Sequence, residues 1–266
     1  MKIRFGISTC PNDTFAMAGL LTGSVETEGL EFAIELIDIE QLNRRIAGGD
    51  FDVAKISFAA AARLPDWSIL PVGSAIGFGV GPLLLAWRPG EVPTDRKQTT
   101  LCPGAGTTAT LLMERFYPNT TRIEHVVFSD IMPTLSRREA NFGVCIHEGR
   151  FTYADQGLHL VEDLGTRWER DTGSPLPLGG LVASNRLSRS TIDRVVRSIG
   201  RSLDWSRRDP DRALPTMRRY AQSFSDAVLM RHVDLYVNDW TVDLGPVGRS
   251  AIEHLFASAG TEPTFV

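Results

Sequence analysis

The stretch Lys2-Ile3-Arg4-Phe5-Gly6-Ile7-Ser8-Thr9-Cys10-Pro11-Asn12-Asp13-Thr14 decides the fold class. Ile3, Phe5 and Ile7 alternate with polar or small residues, the period of a strand. Pro11 to Thr14 then breaks the pattern, and an apolar run follows from Phe15 to Leu21. Asn12 or Asp13 is a natural N-cap for a helix there, because a short side-chain oxygen can accept the N–H groups of a first turn.

The same alternation continues outward. Phe32 to Asp38 reads as a second strand and Ile39 to Ala47 as a helix ended by Gly48-Gly49. Asp52 to Ser57 reads as a short buried strand, and Phe58 to Leu64 as a helix. Strands alternating with helices at this spacing indicate a parallel or mixed sheet. Leu83 to Trp87 looks like a buried strand leaving a first lobe, and Pro89 to Pro93 breaks the chain after it. A second lobe then opens with a strand over Thr99–Cys102, a loop Pro103-Gly104-Ala105-Gly106-Thr107-Thr108 and a helix over Ala109–Phe116. Glu124 to Phe128 reads as a strand, Ile131 to Arg138 as a helix, and Phe142 to Ile146 as a buried strand that delivers His147. Pro175 to Gly180 reads as a rigid, turn-rich stretch before the chain re-enters the first lobe at Leu181. From Ser190 onward the pattern is helical: Ile192, Val195, Val196 and Ile199 share one face, and Leu229, Val233, Tyr236 and Val237 another. The expected architecture is therefore α/β and two-lobed, with a mixed sheet in each lobe and a C-terminal helical segment. The first lobe is expected to hold residues 1–91 and 182–266, and the second residues 92–181.

Composition narrows the class. Hydrophobic residues make up 42% of the 266 and charged residues 23%, a globular balance. The net charge of −4 and the pI near 5.8 leave no overall basic footprint for nucleic acid. Arg201, Arg207, Arg208 and Arg212 alternate with acidic residues and read as a solvated helix face. Three cysteines, Cys10, Cys102 and Cys145, form no CxxC pair and argue against a disulfide framework or a zinc site. No apolar run reaches the ~20 residues that span a bilayer, and the N-terminus lacks the apolar region of a secretion signal. The expectation is a cytoplasmic protein that does not insert in membranes and takes a small carboxylate ligand; oligomeric state is not readable.

Three loops follow strands and open helices: Ser8 to Thr14, Lys55-Ile56-Ser57, and Gly104 to Thr108. Ligands of open α/β sheets sit outside the carboxyl ends of strands, where helix N-termini offer N–H groups to an anion. Ser57, Thr107 and Thr108 add hydroxyl donors. Gly104-Ala105-Gly106-Thr107-Thr108 is neither a P-loop, lacking the lysine, nor a dinucleotide fingerprint, lacking the third glycine; an ordinary glycine loop with Thr108 as N-cap is the plainer reading. Lys55, between Ala54 and Ile56, must leave the core or meet an anion. His147 stands at a strand's carboxyl end, and imidazole is the side chain best matched to proton abstraction near neutrality; a structural histidine is the alternative. His147-Glu148 is not HExxH, because residue 151 is Phe. Cys10 could be a nucleophile only with a base beside it, and a small buried thiol is the plainer reading. His232, on a helix with Tyr236 and near Asn238, could face a cleft.

These segments taken together resemble one family. Ser8-Thr9-Cys10-Pro11-Asn12-Asp13-Thr14-Phe15, Lys55-Ile56-Ser57-Phe58-Ala59-Ala60, Gly79-Val80-Gly81-Pro82-Leu83 and Thr107-Thr108-Ala109 occur in the order found in 1,4-dihydroxy-6-naphthoate synthases. His147-Glu148-Gly149-Arg150-Phe151-Thr152-Tyr153, Pro175-Leu176-Pro177-Leu178-Gly179 and His232-Val233-Asp234-Leu235-Tyr236-Val237-Asn238 complete the series. The resemblance implies a fold of the type II periplasmic-binding-protein kind. It implies a carbon–carbon lyase of the futalosine route to menaquinone, which cleaves cyclic dehypoxanthine futalosine to 1,4-dihydroxy-6-naphthoate and dihydroxyacetone without a cofactor. It also implies a proton-accepting role for His147 and substrate contacts at Lys55, Ile56, Ser57, Thr107, Thr108 and Ala109. Ser8, Asn12, Asp13, Arg150 and Asn238 are further cleft candidates. Two other readings stand beside it: chorismate dehydratase of the same route, against which the Cys10-Pro11-Asn12-Asp13 and His147 motifs count, and a non-catalytic carboxylate-binding protein.

Overall fold

A computed structural model of the chain describes residues 1–147, 149–221 and 225–266; Glu148 of the His147 motif lies outside them. The chain divides into two compact units, Met1–Gly77 with Pro177–Val266, and Phe78–Leu176. Eleven strands among the described residues carry the fold: β1 Lys2–Ser8, β2 Glu31–Ile37, β3 Val53–Ser57, β4 Trp67–Ile69, β5 Ala75–Gly77, β6 Leu83–Ala86, β7 Thr99–Cys102, β8 Arg122–His125, β9 Phe142–Cys145, β10 His159–Asp163 and β11 Leu176–Ser184.

The first unit holds a mixed sheet in the order β2-β1-β3-β11-β4, with β5 paired to β11. β1 runs parallel to β2 and β3, and β11 runs antiparallel to β3 and β4. Lys2 and Arg4 stay exposed at the start of β1, while Phe5–Ser8 are buried on both faces, as expected of a central strand with helices on either side. The core gathers Ile3, Phe5, Ile7, Phe15, Val53 and Leu181 with the helical residues Ile192, Val195, Ile199 and Leu203. Each such side chain contributes about 1.5–3 kcal/mol by leaving water. The 20-residue helix Arg189–Arg208 is capped by Ser188, whose side chain accepts from Thr191 N. Its serines take part in the packing as well: Ser202 Oγ donates to Ala16 O at 2.8 Å and Ser206 Oγ to Phe15 O at 2.7 Å. The expected second helical face also packs inward, with Leu229, Val233 and Tyr236 buried.

The second unit holds a mixed sheet in the order β10-β6-β9-β7-β8. β7 is parallel to β8 and β9, and β6 is antiparallel to β9 and β10. Leu83, Leu85, Leu101, Ile131, Leu135 and Cys145 form its core. Gly81 and Gly165 touch backbone to backbone there; a Cβ on Gly81 would stand 2.2 Å from Gly165 Cα. Among the described residues no helix is long and apolar enough to cross a membrane.

Several elements differ from the sequence expectations. β6 does not leave the first sheet; it lies inside the second, paired with β9 and β10, and the division between units falls at Gly77–Phe78 and Leu176–Pro177. The first helix begins at Pro11 with Cys10 as N-cap, so Asn12 and Asp13 lie within its first turn. Proline needs no N–H partner there and has its φ already set. Residues 175–180 are largely strand. Gly179 and Gly180 pair with Ser57 and Ile56 of β3, and a Cβ on Gly179 would lie 2.5 Å from Ile56 O, so the glycines permit close strand approach and do not mark a turn. Phe128 opens a helix, Phe128–Ser136, and does not end a strand.

Candidate active site

In the first unit, β1 and β3 end on the same edge of the sheet, which brings Ser8 and the Lys55–Ser57 segment together. A continuous polar cluster occupies that edge. Lys55 Nζ lies 2.8 Å from Asp13 Oδ1 and donates to Gly73 O at 2.9 Å. The anion that Lys55 meets is therefore a side chain of the same unit. Asp13 accepts from Ser8 Oγ at 2.6 Å and from Asn12 Nδ2 at 3.0 Å, and Ser8 Oγ accepts from Cys10 N at 3.1 Å. Three donors converging on one carboxylate offset the cost of burying it. Asn12 Oδ1 lies 3.0 Å from His232 Nε2, and the His232 ring stands 4.4 Å from that of Tyr236. His232 thus joins the cluster from the C-terminal helices. Cys10 is buried.

Ser57 is held by a residue the sequence did not single out. Asn43 Oδ1 accepts from Ser57 N at 3.0 Å, and Asn43 Nδ2 donates to Ser57 Oγ at 3.2 Å. Asn43 lies on the buried face of the helix Ile39–Ile46, between Leu42 and Ile46. Asn43 shares that buried face with Glu40, Leu42 and Ile46, and an asparagine at helical spacing from Leu42 and Ile46 was the available signal. Ile56 is fully buried within β3. Asn238 caps the helix Asp239–Val242 and donates through Nδ2 to Ile76 O at 2.8 Å; its amide holds local backbone.

In the second unit, Thr107 and not Thr108 caps the helix Thr108–Phe116. Thr107 Oγ1 accepts from Thr110 N and donates to Gly104 O at 2.9 Å. Gly104 stands at φ +138°, and its carbonyl also accepts from Thr110 Oγ1 at 2.7 Å, so two threonines fix the loop after β7. Thr108 and Ala109 are buried in the first turn. Burial pushes the Cys102 thiol at the end of β7 up to about 12, which leaves it neutral and unreactive.

His147 follows β9 with φ +58°. Non-glycine residues hold that left-handed conformation at a cost of about 1–2 kcal/mol, and such strain concentrates where a side chain must be aimed. Its ring packs edge-on against Phe128, with centroids 4.8 Å apart. Just beyond it, Arg150 donates to Gly81 O and to Asp163 Oδ2, both at 2.9 Å. Asp163 in turn caps the helix Leu164–Thr172. Glu169 Oε1 accepts from Gly79 N at 2.6 Å, and burial raises its pKa. Arg150 therefore anchors the turn after His147 to the glycine segment of the same unit.

This pair of sheets is that of the periplasmic-binding-protein-like folds. The periplasmic aliphatic sulphonate binding protein of Escherichia coli superposes with a TM-score of 0.64 at 10% identity, over 100% of this chain and 93% of that one. A crystal structure of a protein from Archaeoglobus fulgidus matches with a TM-score of 0.91 at 30% identity, over 97% of each chain. The model of the menaquinone biosynthesis family matches residues 3–261. The chain is 39% identical to the 1,4-dihydroxy-6-naphthoate synthase of Thermus thermophilus, over 97% of this chain and 93% of that protein. It is 35% identical to the enzyme of that name from Streptomyces coelicolor, over 98% of this chain and 93% of that protein. The chain belongs to the menaquinone biosynthesis family.

Proposed function

We propose that this protein is a 1,4-dihydroxy-6-naphthoate synthase, a carbon–carbon lyase that converts cyclic dehypoxanthine futalosine to 1,4-dihydroxy-6-naphthoate and dihydroxyacetone. The observation that carries the reading is the near-full-length similarity to two proteins of that name. In this reading the Lys55-Ile56-Ser57 and Thr107-Thr108-Ala109 segments contact the substrate and fix its orientation. His147 accepts a proton from it, and a retro-aldol-type cleavage of a carbon–carbon bond follows. Aromatisation to the naphthalene supplies the driving force, so the reaction as written consumes no cofactor.

Local structure supports these roles. His147 is aimed by a strained backbone and an aromatic neighbour, and imidazole titrates near the operating pH. Ser57 and the loop after β7 are each fixed by paired hydrogen bonds, which suits groups that must meet a ligand without reorganising. The Asp13–Lys55 pair ties the Lys55–Ser57 segment to the helix after β1, and Arg150, three residues beyond His147, is fixed to Gly81 O and Asp163. A cytoplasmic setting belongs to the same proposal, supported by the biosynthetic family.

The test is incubation of purified protein with cyclic dehypoxanthine futalosine and, separately, with chorismate. Formation of 1,4-dihydroxy-6-naphthoate from the first alone is expected. Consumption of chorismate, or tight binding of the futalosine derivative without product, would overturn the assignment.

A further inference from the structure

The carboxylate of Asp13 fixes the protonation of a histidine it does not touch. Asp13 Oδ1 receives Lys55 Nζ at 2.8 Å, and Asp13 Oδ2 receives the Ser8 hydroxyl at 2.6 Å, so both oxygens act as acceptors. The end of the Asn12 amide that faces Oδ1 at 3.0 Å is therefore its nitrogen, which can only donate. The amide oxygen must face the other way, and there it stands 3.0 Å from His232 Nε2. An amide oxygen and a bare ring nitrogen repel at that distance, so Nε2 carries a proton and donates it to Asn12.

This donor comes from the far end of the chain. His232 lies on the helix Asp226–Tyr236 and is 1% exposed, so bulk water does not compete for its contact with Asn12. Tyr236, one turn further along, sets its ring 4.4 Å from the imidazole. In the other direction the chain of contacts ends on Lys55. An ammonium has three donors, and two of those on Lys55 go to Asp13 Oδ1 and to Gly73 O, at 2.8 and 2.9 Å. Two fixed partners set the direction of the third N–H. That direction follows the place of Asp13 Oδ1, which Asn12 holds only while its own oxygen is satisfied by His232.

We infer that His232 is a positioning residue: it keeps a proton on Nε2 for Asn12, and through Asn12 and Asp13 it sets where the Lys55 ammonium stands. The inference rests on the proposed function for the presence of substrate at Lys55. It adds a relay of three side chains that places Lys55, and it gives His232 the part of a fixed donor and not of a base.

The test separates the donor from the bulk of the ring. His232→Met fills the space without donating, whereas the amide N–H of His232→Gln reaches the place of Nε2. With cyclic dehypoxanthine futalosine, His232→Met should raise KM about 3- to 10-fold, the loss of one neutral hydrogen bond, with kcat within about 3-fold. His232→Gln should return KM to within about 2-fold of wild type. Asn12→Ala should raise KM by a similar factor to His232→Met, and adding His232→Met to it should raise KM no further. Equal KM values for the Met and Gln variants, or fully multiplicative effects in the double variant, would overturn the inference. Should the histidine variants not fold, Asn12→Ala, at a half-buried position, decides: an unchanged KM contradicts the relay. Nitrogen-15 NMR of the wild-type protein at about pH 8.5, where free imidazole is neutral, should show the proton of His232 on Nε2, and a bare Nε2 would overturn the donor role. Wild-type protein without turnover would instead overturn the proposed function, and the NMR result would still decide whether His232 is the donor.

Discussion

Lys55 Nζ and Asp13 Oδ1 are 2.8 Å apart with side chains only 6% and 8% exposed, so a charge pair inside the core ties the end of β3 to the helix that follows β1. Removing one member of such a pair leaves the other charged and buried, which typically costs about 3–5 kcal/mol, whereas replacing both by apolar groups costs far less. Lys55→Met and Asp13→Leu are each expected to lose stability on that scale in urea titrations. The double variant Lys55→Met with Asp13→Leu should lose much less than the two single losses added. Additivity of the singles to within about 0.5 kcal/mol would show that the pair is not coupled.

His147 at φ +58° pays conformational strain that glycine would not. His147→Gly should therefore be more stable than His147→Ala by about 1 kcal/mol, measured as the difference in unfolding free energy, while both lose activity. Equal stabilities, or an advantage for alanine, would mean that the left-handed backbone is not maintained in solution.

Gly179 faces Ile56 across the β3–β11 ladder, and a Cβ there would lie 2.5 Å from the Ile56 carbonyl oxygen. Backbone cannot swing aside as a flexible side chain can. Gly179→Ala is expected to destabilise the first unit by about 1–3 kcal/mol and to raise KM through displacement of the Ile56-Ser57 segment. Retention of wild-type stability and KM would show that the strands separate without consequence.

The Arg197 and Arg201 guanidiniums hold the Glu28 carboxyl down at about 2. A depressed folded-state pKa contributes stability above the unfolded value of 4.5 that is lost as pH falls toward 2. The stability difference between wild type and Glu28→Gln should be constant above about pH 4.5 and shrink below it. Parallel urea midpoints for the two proteins across that window would contradict the ion-pair reading. Added salt should narrow the difference, because the pair lies at the surface.

The α/β class was legible in β1 because its apolar alternation runs directly into a helix start, and both depend on local pattern. The placement of β6 was not legible. An apolar run such as Leu83-Leu84-Leu85-Ala86 is buried in either sheet, and only pairing with β9 and β10 decides which. Pro175 to Gly180 misled for a related reason: proline and glycine punctuate turns locally, but here the glycines serve a long-range approach to Ile56 and Ser57. At the site, His147 was visible as an imidazole at a strand end. Its left-handed backbone was not, since no residue type in the motif encodes it. The partner of Lys55 and the clamp of Asn43 on Ser57 join residues 42 and 14 positions apart, which spacing alone does not reveal.

The most direct measurement is single-turnover conversion of cyclic dehypoxanthine futalosine by wild-type and His147→Asn protein, followed by the appearance of 1,4-dihydroxy-6-naphthoate. The account predicts product with wild type and a rate lower by about 10²–10⁴-fold with His147→Asn, the contribution of a general base, at unchanged substrate affinity. Product formation by His147→Asn at a near wild-type rate would contradict the role given to His147, and absence of product from the wild-type protein would contradict the function itself.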